Sequence, residues 1–265
     1  MLDAYRTPDR LRARIALHER FGDPHHDLHR WLFDLVLTRT PPPPPGAAVL
    51  EVGAGTGRLW RVNAERVPPG WRLTLTDRSA GMLTALRGTL EEAGLTAELL
   101  PADAAALPFP DASFDLAFAN HMLYHLPDPS VGVAELRRVL RPGGLLVAAT
   151  NGANHMRQVR ELARPLGALE GVEPTGVADL PFDCENGGAT LAARFAEVEL
   201  HRHDDALEVT DPQALLAYLR SLVHLPEVVT PELEAALARW EAEVLAHATP
   251  GPTRVERATG VFLAR

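Results

Sequence analysis

Glu51-Val52-Gly53-Ala54-Gly55-Thr56-Gly57 is the stretch whose reading decides the fold. The apolar run Ala47 to Val52 leads into it and reads as a buried strand; Arg58 to Val67 follows with helical spacing. Glycines between a strand and a helix let the backbone turn sharply and let a ligand approach it closely. The spacing is GxGxG. Read as the dinucleotide pattern GxGxxG it fails, because the sixth position is Arg58. A dinucleotide places its pyrophosphate on the helix N-terminus. A zwitterionic amino-acid tail needs backbone donors and a carboxylate nearby, and Glu51 is placed to organise that carboxylate around an ammonium group.

Outward from this loop, strands and helices alternate. Trp71 to Thr76 reads as a strand ending at Asp77, Thr96 to Leu100 as a strand followed by Asp103, and Phe114 to Ala119 and Leu145 to Thr150 as two more. Between them Met82, Leu83, Leu86 and Leu90 mark a helix that Gly94 closes, and Val133, Leu136 and Leu140 mark one ended by Pro142-Gly143-Gly144. Five strands alternating with helices imply an open, mostly parallel sheet covered on both faces. In such sheets ligands bind outside the carboxyl ends of the strands. Asp77 is there suited to accept from two ribose hydroxyls, Asp103 from an adenine amino group, and Met82 to pack on an adenine face.

Upstream, residues 10–21 and 27–38 have helical spacing, and Pro41 to Pro45 form a stiff connector. Downstream, residues 167–190 read as an irregular insertion, Ala196 to His203 and Ala206 to Val209 as strands, two helices carry the stripes 215–222 and 233–244, and Arg254 to Leu263 reads as a closing strand.

Composition narrows the function. All 26 basic residues are Arg, which removes lysine-based chemistry such as Schiff bases and the P-loop lysine. The net charge of −9 argues against a nucleic-acid partner. The single Cys184 excludes an internal disulfide and a multi-Cys zinc site, and no apolar run is long enough for a bilayer. A cytoplasmic protein with no membrane partner and no metal is expected, as a monomer or homodimer.

Five blocks, Val49–Gly57, Thr76–Leu83, Pro101–Pro110, Phe114–Pro127 and Glu135–Leu146, stand in the order found in the class I S-adenosylmethionine-dependent methyltransferases. The chain resembles that family, and within it the small-molecule branch typified by ubiquinone/menaquinone-biosynthesis methyltransferases. The resemblance implies a Rossmann-like α/β sheet of seven strands, the last (256–263) antiparallel, with helices on both faces and an N-terminal helical cap. It implies one domain, with residues 1–45 as a helical lid, 46–150 as the cofactor-binding half, 151–190 as an insertion or lid, and 191–265 completing the sheet. S-adenosylmethionine is the implied cofactor. Glu51, Gly53, Ala54, Gly55, Thr56 and Gly57 would hold its methionine moiety, Asp77 its ribose, and Asp103 and Ala104 its adenine; Arg78 and Met82 are counted with the cofactor-binding residues. Asn120 would lie at its methionine end. Tyr5, with Arg14 to Phe21, is similar to a set of bacterial methyltransferases and is counted with the cofactor-binding residues.

The expected reaction is in-line displacement of the methyl group by a small-molecule acceptor; a nucleic-acid or protein acceptor, or a regulator that binds the cofactor without turnover, are the alternatives. His121, His125 and His155 are the general-base candidates, and each also reads as a packed or capping histidine. Glu185 reads either as a ligand contact or as a helix cap. His25, His26 and His29 lack the carboxylate or cysteine partners of a full metal site.

Overall fold

The computed structural model describes residues 8–39, 41–174, 180–248 and 251–265. The expected Tyr5 and part of the 167–190 insertion lie outside these residues. The described chain divides into two compact units.

The larger unit is drawn from residues 27–153, 180–203 and 259–265. At its centre is β1 (Ala48–Val52), buried at every position. It pairs in parallel with β2 (Arg72–Asp77) on one side and with β4 (Phe114–Phe118) on the other. Beyond β2 lies β3 (Ala97–Pro101), and beyond β4 lies β5 (Leu140–Asn151), both parallel to their neighbours. The sheet is finished by β11 (Thr259–Ala264), antiparallel between β5 and β7 (Val198–Arg202). The order β3-β2-β1-β4-β5-β11-β7 is the expected seven-stranded sheet with an antiparallel last strand. The chain reverses its winding between β1 and β4, which opens a crevice at their carboxyl ends.

Side chains alternate along β1. Leu50 and Val52 face a core with Val133 and Leu136 of α5 (Pro129–Val139) and with Phe182, Leu191 and Phe262. Val49 faces the opposite core, with Leu32, Phe33 and Val36 of α2 (Leu28–Leu37), Leu59 and Trp60 of α3 (Arg58–Asn63), and Leu86 and Leu90 of α4 (Ala80–Glu92). Glu51 shares the parity of Val49, so it points toward the side of α2, α3 and α4.

The smaller unit, drawn from the described residues within 1–26, 154–179 and 204–258, has its own core. Leu17 of α1 (Pro8–Phe21), Val159 of α6 (Arg157–Ala163), Leu215 and Leu219 of α8 (Pro212–Ser221), and Trp240 and Val244 of α9 (Pro231–His247) meet there. A ribbon of β8 (Asp205–Val209) and β10 (Thr253–Arg257) closes it, Leu207 opposite Val255.

Two local expectations are corrected. The closing strand from Arg254 to Leu263 is two strands, separated at Ala258. In β10 only Val255 is buried, the pattern of a one-faced ribbon, whereas β11 is buried throughout. The strand expected at 206–209 therefore pairs with β10 outside the main sheet. The helix expected to run to Pro142 stops at Val139, and Leu140 is already extended. Arg141, preceding a proline, is biased away from helix, which favours entering β5 early.

Candidate functional site

The glycine loop leaves β1 with Gly53, Gly55 and Gly57 all in the left-handed region, φ +69°, +56° and +79°. Their roles differ. A Cβ on Gly53 would stand 2.8 Å from Met122 Cβ, and one on Gly57 would collide with Leu86 Cδ1, so both are needed for packing as well as for φ. A Cβ on Gly55 would meet nothing within 4 Å. Gly55 therefore faces open space, with a backbone that only glycine adopts freely.

Hydrogen bonds stitch the loop to the next strand end. The Ala54 N–H donates to Thr76 O at 2.9 Å, and the Gly55 N–H to Asp77 Oδ2 at 2.9 Å. The other Asp77 oxygen accepts from the Ser79 N–H at 2.8 Å. A carboxylate offers about four lone-pair positions, so Asp77, half-buried, keeps acceptor capacity for a ligand. Ser79 caps α4 by accepting from the Met82 N–H, which places half-buried Met82 in the first turn above the strand end. Arg78 is exposed beside it. One strand further, Ala102 N–H donates to Asp77 O. Asp103 is exposed, its Oδ1 accepting from Ala105 N–H at 2.9 Å, and Ala104 is buried beneath. Thr56 is half-buried in the loop. The structure thus brings the residues from Glu51 to Gly57, Asp77, Arg78, Met82, Asp103, Ala104 and Asn120 to one edge of the sheet.

Glu51 is buried, and both its oxygens are engaged: Oε2 by the Trp60 indole N–H at 2.5 Å, Oε1 by the Asn120 amide at 3.1 Å. Burial pushes its carboxyl up to about 7, with the Asp77 charge adding to the rise and the two hydrogen bonds opposing it. Asn120 Oδ1 is buried with no hydrogen-bond partner. A buried acceptor left open is costly, and its presence beside a carboxylate marks a place for a donor, a cationic one above all. Sequence reading missed Trp60; the available signal was an indole N–H in the first turns of the helix after the loop, which needs an acceptor when buried.

His121 follows Asn120 with φ +52°, a strained setting for a residue with a Cβ. Its N–H donates to Ala149 O on β5. Burial, with His125 nearby, lowers its imidazole to about 4. His125 is exposed on a 3-10 turn, its ring 4.5 Å from that of Tyr124. His155 belongs to the smaller unit, where its Nδ1 lies 3.0 Å from Ala258 O. Glu185 accepts from Ala153 N–H at 2.8 Å and pairs with Arg202 at 3.0 Å. Partial desolvation works upward on it, but the Arg202 bond and the Ala153 N–H hold it below the usual carboxylate range. Cys184 is buried, its N–H donating to Asn151 O.

A second group missed by sequence reading adjoins the loop. Asp27 caps α2, accepting from the N–H groups of His29 and Arg30, and its other oxygen accepts from Arg58 at 2.9 Å. Asn63 of α3 donates to His29 O at 3.1 Å. Burial lowers the His29 imidazole to about 3; Asp27 opposes this, while His121, Arg58 and Arg61 add to it. Among the described residues no group of three His, Cys, Asp or Glu side chains can hold a metal ion, and no helix is long and apolar enough to cross a membrane.

Residues 50–148 match the family model described as a methyltransferase domain. The ubiquinone/menaquinone biosynthesis C-methyltransferase UbiE of Bordetella avium is 41% identical over 103 residues, 39% of this chain and 40% of that protein. The chain spans about two fifths of the length of the curated relatives it matches. BH2331 from Bacillus halodurans superposes with a TM-score of 0.61 at 18% identity, over 90% of this chain and 98% of its own. The [4+2]-cyclase SpnF gives 0.52 at 22% identity, over 89% and 80%. These two likenesses establish the fold.

Proposed function

We propose that this chain, whose residues 50–148 carry a methyltransferase domain that indicates S-adenosylmethionine as its cofactor, transfers a methyl group to a small-molecule acceptor. One observation carries the reading: the open space over Gly55, whose N–H is bonded to Asp77, lies on the same strand-end edge as the open acceptor of Asn120. These residues fit the group. Gly53 to Gly57 accept a backbone-hugging methionine tail, Asn120 Oδ1 offers an acceptor to its ammonium, and Asp77 has lone pairs for ribose hydroxyls. Met82 offers an apolar face to adenine, with Asp103 and Ala104 at its rim. Arg78, next to Asp77, is an exposed neighbour of the ribose position.

The cofactor supplies an electrophilic methyl group on a sulfonium sulfur. The chain's work is then positioning and desolvation. Glu51 acts through Asn120, holding its amide so that the oxygen faces the ligand, and Trp60 holds Glu51. His121, next to Asn120, flanks the methyl position. With its imidazole near 4 it is neutral at pH 7 and weakly basic, so it suits orientation better than proton removal. His125, exposed, is the second base candidate. His155, bonded toward Ala258 O, is the third and has a structural role available. A small molecule is favoured over nucleic acid by the charge of −9, and a cytoplasmic setting by the single cysteine.

A cofactor-binding protein without methyl transfer is the second reading, favoured by the SpnF likeness, since that protein is named a [4+2]-cyclase. The test is calorimetric binding of S-adenosylhomocysteine, followed by transfer of labelled methyl to an acceptor pool. Binding with labelled product supports the first reading, and binding with none in any pool supports the second.

A further inference from the structure

Residues 102–113 join β3 to β4 and carry the Asp103 turn at the candidate cofactor edge. By itself this turn is thinly held. Asp103, Ala105 and Ala106 are exposed, and its internal bonds are Ala105 N–H to Asp103 Oδ1 at 2.9 Å and Ala106 N–H to Asp103 O at 3.0 Å. Beneath it, Ala104 and Leu107 are buried in a core with Val133 and Leu136 of α5. Apolar contact of this kind fixes depth but not direction, because it has no preferred angle.

Direction comes from the last turns of α5. Glu135 and Arg138 stand one turn apart on it. Arg138 Nε and Nη2 donate to the two Glu135 oxygens at 2.8 and 2.7 Å, a bidentate pair. The remaining N–H groups of the guanidinium all go to the loop: to Phe109 O at 2.7 Å, to Asp111 Oδ1 at 2.9 Å and to Leu107 O at 3.0 Å. Glu135 Oε2 also accepts from the Leu107 N–H at 2.8 Å. Leu107, next to Ala106, is thus held by its N–H through Glu135 and by its carbonyl through Arg138. Further along the loop, the Ala112 N–H donates to Arg138 O at 3.0 Å. The Arg138 bonds hold the Glu135 carboxyl below the usual carboxylate range, so both partners are charged at neutral pH. Partly exposed ion pairs add little to stability. The consequence of this one is geometric: it sets where the loop leaves the turn.

We propose that Arg138, fixed by Glu135, is a positioning residue for the adenine end of the cofactor: it sets the 103–107 turn so that the Asp103 carboxylate is aligned to accept from the adenine amino group. This rests on the S-adenosylmethionine reading and deepens it. Arg138 acts through Leu107 and the turn. With Oδ1 bonded to Ala105 N–H, Asp103 keeps lone pairs for the ligand. Hydrogen bonds weaken steeply as their angle closes, so a turn released from Arg138 loses alignment before it loses contact.

The test is calorimetric titration of the whole chain and its variants with S-adenosylhomocysteine and with S-inosylhomocysteine, which sets a carbonyl oxygen where adenine sets its amino group. Wild type is expected to favour the adenine ligand about tenfold or more. In Arg138→Gln, affinity for S-adenosylhomocysteine is expected to fall about tenfold, and affinity for S-inosylhomocysteine less than about twofold, so the preference shrinks. Arg138→Lys keeps the charge without the planar fork; it should fall between the two, and it serves if Arg138→Gln does not fold. In an Asp103→Ala background the Arg138 substitution should cost little further, because both act on one contact. A role in folding alone would weaken both ligands equally. Equal losses in folded variants, no loss, or losses that add in the double variant overturn the proposal. So does a wild type that binds the two ligands alike, which would keep the cofactor reading and remove Asp103 from the amino group. A wild type that binds neither overturns the cofactor reading, and the proposal with it.

Discussion

The Trp60 indole N–H donates to Glu51 Oε2 across 2.5 Å, tying the helix after the glycine loop to the strand before it. The loop is thereby held from both ends by a buried carboxylate. Trp60→Phe keeps most of the apolar volume and leaves that oxygen unpaired. The expected cost is about 1–3 kcal/mol, a Tm fall of several degrees by calorimetry, together with weaker cofactor binding through the freed Glu51–Asn120 pair. An unchanged Tm would mean that the indole bond is not holding the carboxylate.

Glu51 also sets a pH dependence. Its folded value of about 7 lies above the 4.5 of an ordinary glutamate, so the folded chain holds a proton there that the unfolded chain has released. Stability from this group is therefore fully present below pH 4.5 and is lost as pH rises toward 7, on the order of 3 kcal/mol in all. Glu51→Gln removes the ionisation and keeps an acceptor for Trp60. Its Tm is expected to gain on wild type as pH goes from about 5 to 8, while its affinity for S-adenosylhomocysteine falls. Parallel Tm curves would show that Glu51 ionises like an ordinary carboxylate.

Gly55 and Gly57 separate ligand space from packing space. Gly55→Ala meets no protein atom, so its stability cost is the left-handed strain of roughly 1–2 kcal/mol, but the new methyl group stands where the cofactor should pass. Affinity is expected to fall at least tenfold, about 1.4 kcal/mol. Gly57→Ala drives its methyl into Leu86 and is expected to lower Tm further. If Gly55→Ala binds like wild type, the open space over the loop is not the ligand's.

His155 offers a control on the third base candidate. Its ring bonds toward Ala258 O in the smaller unit. His155→Ala is expected to lower stability by about 0.5–1.5 kcal/mol and leave S-adenosylhomocysteine affinity unchanged in calorimetry. A large loss of affinity would place His155 at the cofactor as well as among the base candidates.

Much of this was legible because a few residues carry strong local meaning. GxGxG after an apolar run fixes the turn, Asp77 ends β2 and Asp103 follows β3 at the same edge, so the fold and the candidate cofactor edge follow from short-range pattern. What was not legible depends on long-range contact. Nothing in the run Asp27 to Trp31 says that its first turn meets Arg58 and Asn63, because those contacts join residues 31 and 34 positions apart. The break at Ala258 was hidden for a related reason: Thr253 to Ala264 is strand-like throughout, and which part enters the main sheet depends on whether one face or both are buried. For His155, which follows a strand as His121 does, the partner of its ring at Ala258 O was likewise a contact 103 positions away.

The most direct measurement is calorimetric titration of the whole chain and of Asp77→Ala with S-adenosylmethionine and S-adenosylhomocysteine. Asp77 is the joint between the glycine loop and the expected ribose position. Binding by wild type, weakened roughly tenfold or more in a folded Asp77→Ala variant, is the predicted result, about 1.4 kcal/mol or more. No binding by wild type would contradict the central claim and leave the loop as structure or as the site of another ligand.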